Sequence, residues 1–505
     1  MRIPPHRPVA ATALVLLLVG TGAAVSSAAP TNPTAVDCLP VLEEPAAGSE
    51  AVAALGADLP AVARANGRSA AELRHTLGLD ESLTVSTCGQ LFYVDTDWQE
   101  HAHNDGDAAA DELVFTPWTL WSEWVPTEAL AAVGGIDVTT LHSNRGAQRV
   151  LHLDFDGAQV LPGWERDFVQ ETFPPFDVND DPTTLSDIER AAVYEIWSRV
   201  VEDYAPWDVD VTTELPSTAD LLISGPDDER FGVSTVITQN GPRASGIAWL
   251  GKFGVETYAE QGGFTFVGTG DSRVSPQQIA TIVSHELGHN LRLDHHGLIV
   301  KGGSTYEYNP GNPAWTPIMG NGGAAMSQWN DGRYPGATNP DQSDVPIIGQ
   351  TLPVATDPNA TATRLRVGTP AKGVIRSTEE VDTWTVTAGA RIRVEVSSAR
   401  FGPNLDPRLT VLNQSGVQVL GVYDPPLVQQ PASQRPSRLD IDQVLELPGG
   451  SYTLVVEGVS GGTPELDSSY LLGYPDYGSL GRYTIKVSRA CGSTGVPSVC
   501  RPVKN

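Results

Sequence analysis

Residues 284–296, Ser-His-Glu-Leu-Gly-His-Asn-Leu-Arg-Leu-Asp-His-His, hold four histidines and two acids within thirteen positions. On a helix, His285 and His289 share one face and can grip a single ion, while Glu286 projects beside them. Two neutral imidazoles on Zn2+ next to a carboxylate able to take a proton from water make up the equipment for metal-assisted hydrolysis. His295 adds a third nitrogen ligand. A His-Glu-x-x-His pattern followed by a histidine at that spacing arises by accident in on the order of one such chain in five thousand, so incidental histidines are a weak explanation.

The segment that must carry these residues has a clear start. Ser275-Pro276-Gln277-Gln278 combines an N-cap, a proline at the first helical position and a capping glutamine, which predicts a helix from Pro276 to about Asn290. Upstream, Val150 to Gly157 begins as an apolar, β-prone strand, and Ser186-Asp187-Ile188-Glu189 is a capping box opening a long helix to about Asp203. Val209–Thr213, Leu221–Ile223 and Gly246–Phe253 read as strands.

His285 to His295 resembles the HExxHxxGxxH motif of the metzincin metalloproteases, most closely the reprolysin-like branch among secreted bacterial peptidases. Thr316-Pro317-Ile318-Met319-Gly320 is similar to their methionine turn, and further likeness extends over roughly residues 150–350, including Leu153–Gly157, Ile196–Thr213 and Gln328-Trp329. The resemblance implies an α/β (α+β) catalytic domain holding one catalytic Zn2+ on His285, His289 and His295, with Met319 beneath it and Glu286 as general base. It also implies that the strand around Ile247–Leu250 aligns an extended peptide, and that Gly297–Pro317 walls the pocket beyond the cut bond.

Three positions depart from that pattern. Arg292 replaces the glycine at the bend between the second and third histidines, where positive φ is expected; a non-glycine residue there costs on the order of 1 kcal/mol, which metal binding can offset. His296 follows the third histidine where many relatives have aspartate, and is the alternative ligand should the turn shift. Asn321 stands where some metzincins carry a tyrosine that stabilises the transition state.

Stepping outward, the sequence divides into a signal peptide (1–28), a propeptide-like N-terminal region of mixed and helical character (29–148), the catalytic domain (149–350), a linker (351–366), an all-β sandwich (367–489) and a Cys-containing tail (490–505). Arg2 and Arg7, the apolar run Val9–Val25 and the small residues to Ala28 give the signal pattern, hence an extracellular location. The N-terminal region looks like a separate module: a helix ends at Asn66-Gly67, a capping box at Ser69–Glu72 opens the next, and a polar stretch (His101–Asp111) leads to Trp118, Trp121 and Trp124. An ordinary accessory domain is the alternative to a propeptide. Beyond the linker, short β runs alternate with Gly and Pro turns, and Asp382–Trp384, Asn404–Asp406, Gly449–Tyr452 and Asp476–Gly481 resemble bacterial pre-peptidase C-terminal domains.

The chain carries 32 Lys and Arg against 61 Asp and Glu, a net charge of −29 that disfavours nucleic acid and anionic membranes as partners. The expected partner is a protein or peptide substrate, and the expected state a monomer. Four cysteines fit an oxidising compartment. The pairings favoured are Cys38 with Cys88 and Cys491 with Cys500; the alternative for Cys88 is a free thiolate that caps the zinc of a precursor. Acidic clusters at Asp177–Asp181 and Asp341–Asp344 could bind Ca2+, without assignable ligands. Asp154-Phe155-Asp156-Gly157 resembles a haloacid-dehalogenase motif but lacks the residue that should follow. The non-enzymatic alternative is a secreted binding or adhesion protein with a degenerate metalloprotease domain.

Overall fold

The computed structural model describes Cys38 and residues 40–95, 125–356, 362–423 and 439–490, apart from 165–168, 180, 240–243, 256–257, 269–273, 322–325 and 468–469. The signal segment, the His101–Asp111 and Trp118–Trp124 stretches, and the tail with Cys491 and Cys500 lie outside the described residues. Among those described, no helix is long and apolar enough to cross a membrane.

The central sheet has eight strands: β1 (Ala46–Ala47), β2 (Leu83–Val85), β3 (Leu91–Asp95), β4 (Arg149–Asp154), β5 (Asp210–Thr212), β6 (Phe231–Thr238), β7 (Gly246–Trp249) and β8 (Gly263–Phe266). Their spatial order is β1-β2-β3-β7-β8-β6-β4-β5. The half from β8 to β5 is parallel, and the half from β1 to β8 is antiparallel. The N-terminal region is therefore not set apart, because β3 lies directly along β7 in the same sheet. Its helices α1 (Gly48–Leu55), α2 (Leu59–Ala65) and α3 (Ala70–Leu79) build a small core of Leu55, Leu59, Val62, Leu73 and Leu77 that also takes in Leu250 from beyond β7. A disulfide joins Cys38 to Cys88, so the thiolate alternative for Cys88 is excluded.

After the short α4 (Thr127–Ala132), α5 (Asp187–Asp203) covers one face of the parallel half, joined there by the helix that bears the histidines. The predicted strand at Leu221–Ile223 is instead the end of a helical turn, α6 (Thr218–Leu221), because Ser217 caps it by accepting the Asp220 N–H at 3.3 Å. The helix bearing the histidines, α7 (Pro276–Asn290), packs on α5, and both capping boxes expected from the sequence, at Ser186 and Ser275, are formed. Leu151 and Leu153 from β4, Ile196 and Val200 from α5, and Ile279, Val283 and Leu287 from α7 make the core between helices and sheet. The opposite sheet face is closed by Trp164 and Phe173 over Phe92, Trp249, Phe264 and Phe266. After this unit comes a short helix, α8 (Asp344–Ile348).

The C-terminal part is a β-sandwich-like sheet of β9 (Ala371–Ile375), β10 (Val381–Ser398), β11 (Pro407–Asn413), β12 (Gln418–Tyr423), β13 (Ile441–Gly458) and β14 (Gly481–Arg489). The β runs at Thr383–Val386 and Arg391–Val396 are one long strand, β10, with an irregularity at Ala388–Ala390 in its pairing with β13. Its core centres on Trp384, Val394, Leu409, Leu454 and Ile485.

This part is sealed to the α/β unit by buried polar groups. Glu202 accepts the Arg482 N–H at 2.8 Å. Asp203 divides its carboxylate, accepting from Ser284 Oγ at 2.5 Å and from Asn404 Nδ2 at 2.7 Å. Phe401 and Tyr477 join the core of the α/β unit, and the expected linker begins packed, with the Asp208 N–H on Pro353 O at 2.7 Å and the Ala355 N–H on Pro206 O at 3.0 Å.

Burial, only partly offset by Arg482, pushes the Glu202 carboxyl up to about 8, and burial likewise pushes Asp203 up to about 7 despite Asn404 and Ser284. Both groups bind their proton more tightly folded than unfolded, so the stability they contribute is present below the ordinary carboxyl range and is lost as pH rises through about 8 and about 7. Urea midpoints measured from pH 5 to 8.5 should fall more steeply with pH in the wild-type chain than in Glu202→Gln; parallel curves would refute the assignment for Glu202.

Candidate metal centre

Each histidine of the motif is aimed by its own Nδ1. His285 donates to Ile318 O at 2.8 Å and His289 to Leu293 O at 2.8 Å. His295 donates to the Asp80 carboxylate at 2.8 Å. With Nδ1 engaged, every Nε2 is left for the common centre, which is how surrounding partners orient metal-binding imidazoles. The Nε2 atoms of His289 and His295 are 3.2 Å apart.

A fourth donor completes the cluster. Asp95, at the end of β3, places Oδ2 3.2 Å from His285 Nε2 and 3.7 Å from His289 Nε2, and Oδ1 3.3 Å from His295 Nε2. Asp95, His285, His289 and His295 together form a group that could hold a metal ion, and all four are buried. Donors at about 2.0–2.1 Å from zinc in a tetrahedron stand about 3.3–3.4 Å from one another, so these separations fit a single tetrahedral ion. Burial opposes ionisation of Asp95, yet His295 and His285 hold its carboxyl well below the usual range.

The backbone that brings His295 round is a helix-ending turn. The Leu293 N–H bonds Gly288 O at 3.0 Å and the Arg292 N–H bonds His289 O at 2.9 Å, which is the Schellman pairing. Arg292 takes the left-handed position with φ 78°, and no other non-glycine residue among those described has positive φ. The bend expected for the missing glycine is thus made by arginine. Asn290 Nδ2 also ties the helix end to Trp249 O at 2.9 Å and Gly262 O at 2.8 Å.

Met319 lies buried beneath the helix, where a methyl on Gly288 would come within 2.5 Å of its Sδ. The next histidine turns away: His296 Nε2 bonds Asp344 Oδ1 at 3.0 Å, and its N–H bonds Met319 O at 2.7 Å. His296 therefore pins the histidine loop to the methionine turn rather than joining the cluster. Asn321 donates its N–H to Asn309 O at 3.0 Å.

Glu286 is buried beside the cluster, and neither carboxylate oxygen accepts a hydrogen bond from a described donor. Burial, with the Asp95 charge adding, raises its carboxyl well above the usual range. It stands against Gly246 in β7, where an added methyl would overlap the carboxylate.

Several residues here were not singled out in the sequence: Asp80, Asp95, Tyr93 and Tyr308. The Tyr93 ring stacks on His289 with centroids 4.0 Å apart, and Tyr308 lies 4.5 Å from the His295 ring while donating its hydroxyl to Asp95 Oδ1 at 3.1 Å. Tyr93 and Asp95 share a strand face through the period-two alternation of β3. That alternation was the one available signal, and it says nothing about what the face meets. Cys38 and Cys88, bonded to each other, are not part of the four-residue cluster.

Residues 201–296 match the model of a metallopeptidase family described as M12B reprolysin-like. No curated protein matches the chain. Among solved structures, the chain is similar to the pre-peptidase C-terminal domain of collagenase from Bacillus anthracis, at 15% identity over 25% of this chain and 94% of that one, with a TM-score of 0.17. Another is PliG of Salmonella Typhimurium, a periplasmic inhibitor of g-type lysozyme, at 14% identity over 26% and 98% with a TM-score of 0.15. A third is CorA, a surface-associated copper-binding protein of Methylomicrobium album BG8, at 14% identity over 26% and 98% with a TM-score of 0.16.

Proposed function

We propose that the chain is a secreted, zinc-dependent endopeptidase that hydrolyses peptide bonds of extracellular proteins. The observation that carries this reading is the convergence of three buried imidazoles, with ligand atoms within 4.8 Å of one another, beside the buried carboxylate of Glu286. The reprolysin-like match over residues 201–296 supports the same reaction class. In this reading residues 1–28 are the signal peptide, 29–148 the propeptide, 149–350 the catalytic domain, 351–366 the linker and 367–489 the sandwich.

His285, His289 and His295 would hold the ion, with Met319 packed under the helix that bears the first two. A zinc ion there would supply polarisation of the scissile carbonyl and a lowered pKa for water. Glu286 takes the proton of the attacking water and delivers it to the leaving amine. Gly246 leaves it the space to stand against β7. The β7 backbone aligns the substrate by strand pairing. Tyr308, whose hydroxyl points to the fourth position of the cluster, donates to the carbonyl oxygen as charge develops on it.

Protein recovered from the medium of an expressing host should contain one zinc per chain and cleave casein. Glu286→Ala should keep the zinc and lose cleavage by on the order of a thousandfold, and Tyr308→Phe should lower kcat by on the order of tenfold to a hundredfold with little change in KM. Zinc retained without any Glu286-dependent cleavage would favour the binding-protein alternative.

A further inference from the structure

Resting on that reading, we propose that the N-terminal unit is a built-in blocker of the site: Asp95 is the fourth, displaceable ligand of the metal, and β3 fills the groove in which an extended peptide pairs with β7. β3 runs antiparallel along β7 in the register Phe92–Trp249, Tyr93–Ala248, Val94–Ile247 and Asp95–Gly246. Gly246 is also the residue against which Glu286 stands. A peptide in the same place would present its backbone carbonyl to the metal. β3 presents a side-chain carboxylate instead, which binds a cation well and carries no amide bond to cut.

The attachment is not confined to one ligand. Arg68 grips Asp294, the residue before the third histidine, through two bonds of 2.9 and 2.7 Å, and the Tyr93 hydroxyl adds a third at 2.9 Å. Asp80 receives the His295 Nδ1–H at 2.8 Å, and the Glu81 N–H bonds Glu307 Oε1 at 2.9 Å. The unit therefore both covers the centre and orients its third imidazole. Departure of the unit removes Asp95 and Asp80 together, opening the fourth position to water and the β7 edge to substrate. The ion left behind is held by three imidazoles, one of which has lost its orienting carboxylate.

The test uses the full chain, with Asp95→Ala and the near-isosteric Asp95→Asn as a check against misfolding. Each protein is loaded with Co2+ for its visible absorption spectrum and with Zn2+ for competition against a chromophoric chelator. We expect both variants to show an altered Co2+ spectrum and at least tenfold weaker zinc retention than wild type. Unchanged spectra and equal zinc retention in correctly folded variants would overturn the assignment of Asp95. Combining Asp95→Ala with Arg68→Ala removes the ligand and the clamp on Asp294 together, and this chain should cleave an unstructured peptide at least tenfold faster than wild type; unchanged cleavage would overturn the blocking role. Failure of the wild-type chain to bind either metal would instead sink the zinc-peptidase reading itself.

Discussion

In the proposed peptidase, Gly246→Ala should cost a factor of about a hundred to ten thousand in kcat/KM, comparable to the loss of a general base, while leaving the metal in place. Glycine is a poor strand residue, lacking a side chain to pack and losing more backbone freedom on folding. Gly246 nevertheless opens β7, buried and paired with Thr265 on one side and Asp95 on the other. The reason is visible in what an alanine methyl would meet, the Glu286 carboxylate itself. Glu286 would have to rotate away, and its imidazole neighbours, fixed through their own Nδ1 bonds, would not follow. The measurement is kcat/KM on the peptide-cleaving form, with Glu286→Ala as the floor and zinc content as the control. A loss below threefold would mean that the carboxylate does not work from its position against β7.

Replacing Cys38 and Cys88 together by serine should destabilise the N-terminal unit by about 4 kcal/mol, the loop-entropy value for a closure of this length, since the bridge spans 50 residues. The core of that unit is small, resting on residues such as Leu55, Leu73 and Leu77, so the crosslink carries a large share of its stability. Hydrogen exchange would locate the effect: protection should fall within residues 42–95 and persist in α7. Equal loss in both places would mean that the two parts unfold as one. Where the N-terminal unit loosens, metal exchange at the centre should quicken with it, since Asp80 and Asp95 ride on that unit.

Much of the centre is legible in the chain because its information is local. The capping boxes at Ser186 and Ser275, the i and i+4 histidines of α7 and the bend at Arg292 are each written within a few residues, and the structure forms every one of these local features. The turn at Arg292 shows that local geometry can be inferred even where the residue breaks the pattern, because the helix end and the hydrogen bonds demand a left-handed conformation there. Asp95, Asp80 and Asp344 were not legible for the opposite reason. Each reaches its histidine across a long sequence separation, through a strand pairing or a loop that no periodicity announces. The strand expected at Leu221–Ile223 failed differently, since an apolar triplet cannot by itself outweigh a serine cap directly before a helical turn. The two β runs that fused into β10 show the same limit: glycine and alanine at 388–390 read as a turn, and pairing with β13 carries the strand through them.

The divided carboxylate of Asp203 has a bearing on how this chain can be handled. One oxygen holds Ser284, next to the first motif histidine, and the other holds Asn404, far along in the last third of the sequence. A gene shortened after residue 350 would strip away that second partner, the backbone donor of Glu202, and the Phe401 ring that packs on Tyr194 of α5. Two acids and part of an apolar core would then face water at once. A shortened form that keeps the histidine centre should therefore lose residues from the front and keep the back.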